Sequence, residues 1–125
     1  MNKNFLTTGA LFAAVAVICG AFGAHFLKSR LSPESLQTFD TAVRYQFYHA
    51  VALLAVGILY KDFPGKLLKW AGYLFIKGII LFSGSLYILC SVPSMRWMGA
   101  ITPLGGLCFI GGWLMMVVAF QKNRS

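Results

Sequence analysis

Charge is scarce in this chain. Of its 125 residues only 11% are Asp, Glu, Lys or Arg, and the acids number three: Glu34, Asp40 and Asp62. A soluble domain carries roughly a quarter charged residues, so this chain cannot clothe a water-facing surface. Cysteines are few and scattered. Cys19, Cys90 and Cys108 sit singly in apolar surroundings, with no C-x-x-C and no Cys/His spacing that would hold a metal; they are expected as reduced thiols packed like small hydrophobes. Also lacking are a repeat, a low-complexity tract, a phosphate-binding glycine loop, a carboxylate pair and a Ser/His/Asp set. These absences argue against an enzyme and against a metal or other cofactor.

What the chain does have is apolar length. Residues AVILMFWYC make up 58% of it, and mean hydropathy is +0.73. Spanning a bilayer takes about 20 apolar residues as a helix. The first such run, Phe5 to Phe26, lies between Lys3 and Lys28. Ala21-Phe22-Gly23 resembles a signal-peptidase site, but the run is long and Lys3 alone makes a weak basic leader. It reads as an uncleaved helix.

Leu31-Ser32-Pro33-Glu34-Ser35 then starts a second helix. Ser32 is a cap, Pro33 suits the first helical position, and Glu34 complements the helix dipole. Asp40 and Arg44 are four apart in the favourable order for an ion pair at the membrane interface. Helix can continue unbroken to Tyr60, which is longer than the hydrocarbon is thick. A short interfacial helical segment is therefore expected before the second span, about residues 45–60. Lys61-Asp62-Phe63-Pro64-Gly65-Lys66 is a turn, and the third span covers about residues 67–89. Ser91-Val92-Pro93-Ser94 breaks it, and the fourth covers about 98–120. Pro103 either kinks this helix or opens its buried part, with Thr102 as cap. The fold class expected is an all-α membrane protein, a four-transmembrane-helix bundle forming one integral domain over residues 1–125.

The net charge of +8 does not mark a nucleic-acid binder, because the basic residues stand at the ends of apolar runs instead of forming a stripe. Lys3, Lys61, Lys66, Lys69, Lys122 and Arg124 fall on one side. Lys28, Arg30, Arg44 and Arg96 fall on the other. The positive-inside rule places both termini in the cytoplasm and the chain in the cell's inner (plasma) membrane.

Polar residues inside the spans need partners, since lipid offers none. His25, Tyr45, Gln46, His49, Ser83, Tyr87 and Thr102 converge on the outer half of such a bundle, with His25 and His49 expected to meet each other or one shared partner. Histidine there is open to two roles, a proton relay or a hydrogen-bonded tie between helices. Lys77 lies deeper on the other side and is expected to reach back to the headgroups with its flexible stem. Small residues mark helix packing at Gly20, Ala24, Gly84, Gly105 and Gly106, within one bundle or between copies in a homo-oligomer or membrane complex.

Four segments carry a family likeness: Gly20-Ala21-Phe22-Gly23-Ala24-His25; Thr41 to Ala50, which reads TAVRYQFYHA; Phe82-Ser83-Gly84-Ser85-Leu86-Tyr87; and Ile101-Thr102-Pro103-Leu104-Gly105-Gly106 with Gly112-Trp113. Over nearly its whole length the chain resembles the YgdD-like family of small inner-membrane proteins. The resemblance implies a four-helix protein of the bacterial inner membrane and brings no established activity. Lys77 departs from the family pattern, and Arg44 stands where relatives often have an uncharged residue or glutamate. The function expected first is a non-enzymatic accessory, assembly or structural membrane component with the lipid bilayer as partner. A small-molecule or ion transporter or channel, and a lipid- or quinone-binding protein, are the alternatives.

Overall fold

The computed structural model of the protein describes residues 1–122, except for the side chain of Ala24. Arg124 of the cytoplasmic tally and Ala24 of the packing set therefore lie outside the described residues. Four helices are long and apolar enough to cross a membrane: Lys3–Leu27, Pro33–Leu59, Lys66–Ser91 and Arg96–Lys122. No strand occurs among the described residues. The chain is an all-α, multi-pass membrane protein.

Local chemistry sets the boundaries. Asn2 caps the first helix, its Oδ1 accepting from the Phe5 amide at 3.2 Å. Its own amide donates to the Gly57 carbonyl at 2.9 Å, tying this start to the end of the second helix. Ser32 Oγ accepts from the Ser35 amide at 3.1 Å, with Pro33 behind it in the first turn. The second helix then runs without a break, so the segment expected at the interface is continuous with the span. After the Pro64-Gly65 turn, Gly65 enters the third helix at φ 135°, a left-handed conformation that suits glycine. The fourth helix opens as a 3₁₀ stretch, Arg96–Ala100, and becomes α-helical at Thr102. Pro103 thus stands in the first α-helical turn, where its missing amide hydrogen costs nothing. It opens the helix; Thr102 uses its hydroxyl elsewhere.

The first helix packs along the second, the second along the third, and the third along the fourth. Near the termini the core is wholly apolar, built from Phe5, Leu53, Val56, Leu68, Phe75 and Met116 among others. Close approach there and at mid-bundle depends on aromatic rings seated on glycines. Phe5 lies on Gly72, Phe109 on Gly78 and Phe75 on Gly112, and a Cβ at any of the three would overlap the ring. At Gly105 the neighbour is the Phe82 backbone itself, so helices three and four touch main chain to main chain. With lipid outside, such fitted contacts replace the hydrophobic drive that folds a soluble bundle.

The packing glycines differ from those expected. Gly105 has this role, and Gly20 lies against Val43, but Gly84 and Gly106 face open space. Gly9, Gly72, Gly78 and Gly112 carry the close contacts instead. Two helices also widen into a π turn, at Cys19–Gly23 and Ile79–Ser83. Such turns change the rotational phase of everything after them.

Candidate functional site

Gln46 is the middle residue of the 27-residue second helix and is buried. Its amide ties three helices together. Nε2 donates to the Phe12 carbonyl of the first helix at 2.8 Å, and Oε1 accepts from the Tyr87 hydroxyl of the third at 2.7 Å. Chemistry fixes the amide's orientation, since a carbonyl can only accept and so must face the NH₂ end.

One turn further along, His49 is buried against the fourth helix. Its Nδ1 lies 2.8 Å from the Tyr45 carbonyl, and the Trp113 indole N–H donates to Nε2 at 3.1 Å. A carbonyl cannot donate and an indole nitrogen cannot accept, so the proton sits on Nδ1. Phe109 stacks on the imidazole with centroids 3.6 Å apart and planes 9° from parallel. Tyr45, on the same helix, stacks on Phe82 at 4.6 Å. An open groove of about 400 Å³ lies over this group, lined by Tyr45, His49, Phe82, Gly106, Phe109 and Trp113.

The remaining hydroxyls also reach between helices. Ser83 Oγ donates to the Ala42 carbonyl at 2.7 Å, and Ser85 and Thr102 share a bond of 2.6 Å. Among the described residues no buried side-chain nitrogen or oxygen lacks a partner. The Asp40–Arg44 pair forms at 3.0 Å, exposed on the second helix. Lys77 is exposed.

Three expectations need correction. His25 does not join the site: it is exposed, and among the described residues it shares no hydrogen-bond partner with His49. The π turn at Cys19–Gly23 immediately precedes it and shifts its facing. Gln46 and His49 do not stand at the outer end of their span but at the middle of the helix, where Phe12 and Trp113 meet them. Tyr45 turns its ring to Phe82 and contributes its backbone carbonyl, not its hydroxyl, to His49. Trp113 and Phe109 were absent from the expected site. The signal for Trp113 is its position, deep within the fourth apolar run and away from the interfacial belt where tryptophan usually sits.

Residues 19–106 match a family described as "Protein of unknown function (DUF423)". The chain belongs to this family. The match takes in Gln46, His49, Ser83, Tyr87 and Thr102, and it ends before Trp113. The chain is also similar to UPF0382 membrane protein SSP2132 of Staphylococcus saprophyticus, with 48% identity over 96% of this chain and 98% of the relative. UPF0382 membrane protein YwdK of Bacillus subtilis is likewise 48% identical, over 96% and 98%. UPF0382 membrane protein SH2409 of Staphylococcus haemolyticus is 44% identical over 96% and 97%. The label YgdD-like is not among these names; the uncharacterised membrane family is. No solved structure matches the chain.

Proposed function

We propose that the protein is a non-enzymatic component of the bacterial plasma membrane, an accessory or assembly subunit that works by presenting a rigid four-helix surface to other membrane components. In this reading residues 1–125 form one integral domain with both termini in the cytoplasm. One observation carries it: the buried polar side chains are engaged in bonds that hold this chain's own helices, with Gln46 joining three of them. A transport path is less well supported, because the core toward the termini, from Phe5 and Leu53 to Met116, is apolar throughout. Gly84 and Gly106 add support for a partner, since each faces open space that a neighbouring helix could occupy.

The groove over His49 favours a second reading, a lipid- or quinone-binding protein, because aromatic rings and an imidazole line an opening toward the bilayer. Copurification from native membranes in mild detergent separates the two. A stoichiometric protein partner supports the accessory role. A bound lipophile with no protein partner overturns it in favour of the second reading.

A further inference from the structure

The surface between the first and second helices holds a groove of about 380 Å³, walled by Gly20, Ala21, Val43 and Phe47 and edged by Arg44 and Tyr48. Part of one wall is the π turn Cys19–Gly23, which widens the first helix at this level. π turns are frequent at functional sites. The groove is almost wholly apolar, and Arg44 is its only cation.

Depth makes Arg44 unusual. The antiparallel helices set Gly20 against Val43 and Gly23 against Phe39, so Arg44 is level with the start of the π turn. That is about seven residues, or roughly 10 Å along the axis, inside the end of the first helix at Leu27. Phe22 and Phe26 lie farther out and are 72% and 59% exposed, so hydrocarbon reaches past the arginine. Asp40 engages only Nε. Among the described residues the four N–H groups of the two terminal nitrogens have no further partner. In hydrocarbon an arginine with open donors is costly, and at this depth water does not satisfy it.

Helical side chains lean toward the helix N-terminus, which directs this guanidinium toward the headgroups at the Pro33 end. The acceptor available there is the phosphate diester of a phospholipid, whose two oxygens match a planar fork of donors. An acyl chain hanging from that phosphate enters the groove directly below. We propose that Arg44 and the groove between the first two helices form a binding site for one phospholipid, with the phosphate diester on the guanidinium and an acyl chain along Gly20, Ala21, Val43 and Phe47. Other chemistries fit less well: a diacylglycerol lacks the anion, and an apolar helix of a second copy leaves the donors open.

The test uses the full-length protein, delipidated in mild detergent, with dioleoylphosphatidylglycerol and dioleoylglycerol as probes. Native mass spectrometry counts bound lipid, and thermal unfolding reads stabilisation. The expected result is one phosphatidylglycerol retained per chain with a raised Tm, and no comparable effect of dioleoylglycerol. Arg44→Gln should weaken phosphatidylglycerol binding roughly tenfold or more, as for loss of a charge-assisted bidentate contact, and Arg44→Lys should restore part of it. Ala21→Trp fills the groove from an exposed position, so it should displace the lipid without unfolding the bundle. Lys77→Gln, which removes a cation elsewhere, should leave binding intact. Equal retention of both lipids, or wild-type binding by both Arg44→Gln and Ala21→Trp, would overturn the proposal. So would a dimer that Ala21→Trp dissociates while lipid binding is unchanged, because a second copy would then be the occupant.

Discussion

Replacing Gln46 with methionine tests whether the central polar tie holds the bundle. The side chain keeps its length and loses both bonds, one to the Phe12 carbonyl at 2.8 Å and one from the Tyr87 hydroxyl at 2.7 Å. Interhelical hydrogen bonds in membranes average about 0.6 kcal/mol and reach about 1.7, so two bonds set a loss of about 1 to 3 kcal/mol. The lower half of that range is expected. The Phe12 carbonyl lies within an α-helix and keeps its ladder partner, while the half-buried Tyr87 hydroxyl is left to find another acceptor. Tyr87→Phe removes one bond but strands Oε1 in the core, and an orphaned buried acceptor costs about 1 to 3 kcal/mol. The double variant should therefore lose less than the sum of the singles, with a coupling of about 0.5 kcal/mol or more. Steric trapping, or detergent-driven unfolding in mixed micelles, supplies the four free energies of the cycle. Strict additivity, or a Gln46→Met protein at least as stable as the parent, would refute the tie.

Gly105→Val should abolish folded, monodisperse protein by size exclusion, because its Cβ meets the Phe82 backbone, whereas Gly106→Val next door should be tolerated. Equal behaviour of the two would undo the packing account. His49→Phe and Trp113→Phe should each cost about 1 kcal/mol in the same unfolding assay, and together little more than the worse of them, since they share one bond. Lys77 is exposed, so Lys77→Leu should leave Tm and oligomeric state unchanged or slightly improved; a large loss of folded protein would reveal a partner for its ammonium. Reporter fusions at residue 125 and within residues 29–35 should report cytoplasmic and external locations respectively, and a shared side would remove one span.

The spans and their ends were legible because their signals are local. Apolar runs of bilayer length, the Ser32-Pro33 start, the Pro64-Gly65 turn and the Ser91–Ser94 break each act within a few residues. Depth and facing depend on neighbours, and there the reading slipped. Asp40 and Arg44 look interfacial by charge, which moved the start of the second span to Tyr45 and carried Gln46 and His49 outward with it. The structure lays that charged turn alongside Gly20 and Gly23 of an apolar helix, which returns Gln46 to the middle. The assumption of 100° per residue held within the second helix, where Gln46 and His49 both face inward. It did not survive the π turn in the first helix, and His25 was lost from the cluster. Gly105 and Gly106 are neighbours with opposite surroundings, a difference that only the rotation of the fourth helix decides.

The ties through the second helix bear on how the protein is made. As the chain enters the membrane from its N-terminus, the first two helices can pair at once, with Gln46 reaching Phe12 and Gly9 closing on Ala50. Oε1 of Gln46 must then wait for Tyr87, and Nε2 of His49 for Trp113, which lies in the last helix to arrive. A nascent hairpin of the first half thus carries two unsatisfied polar groups near the bilayer midplane until synthesis is nearly complete. Such a half-protein is recognisable as unfinished, and the same two groups that later lock the bundle mark it for retention or removal until the fourth helix docks.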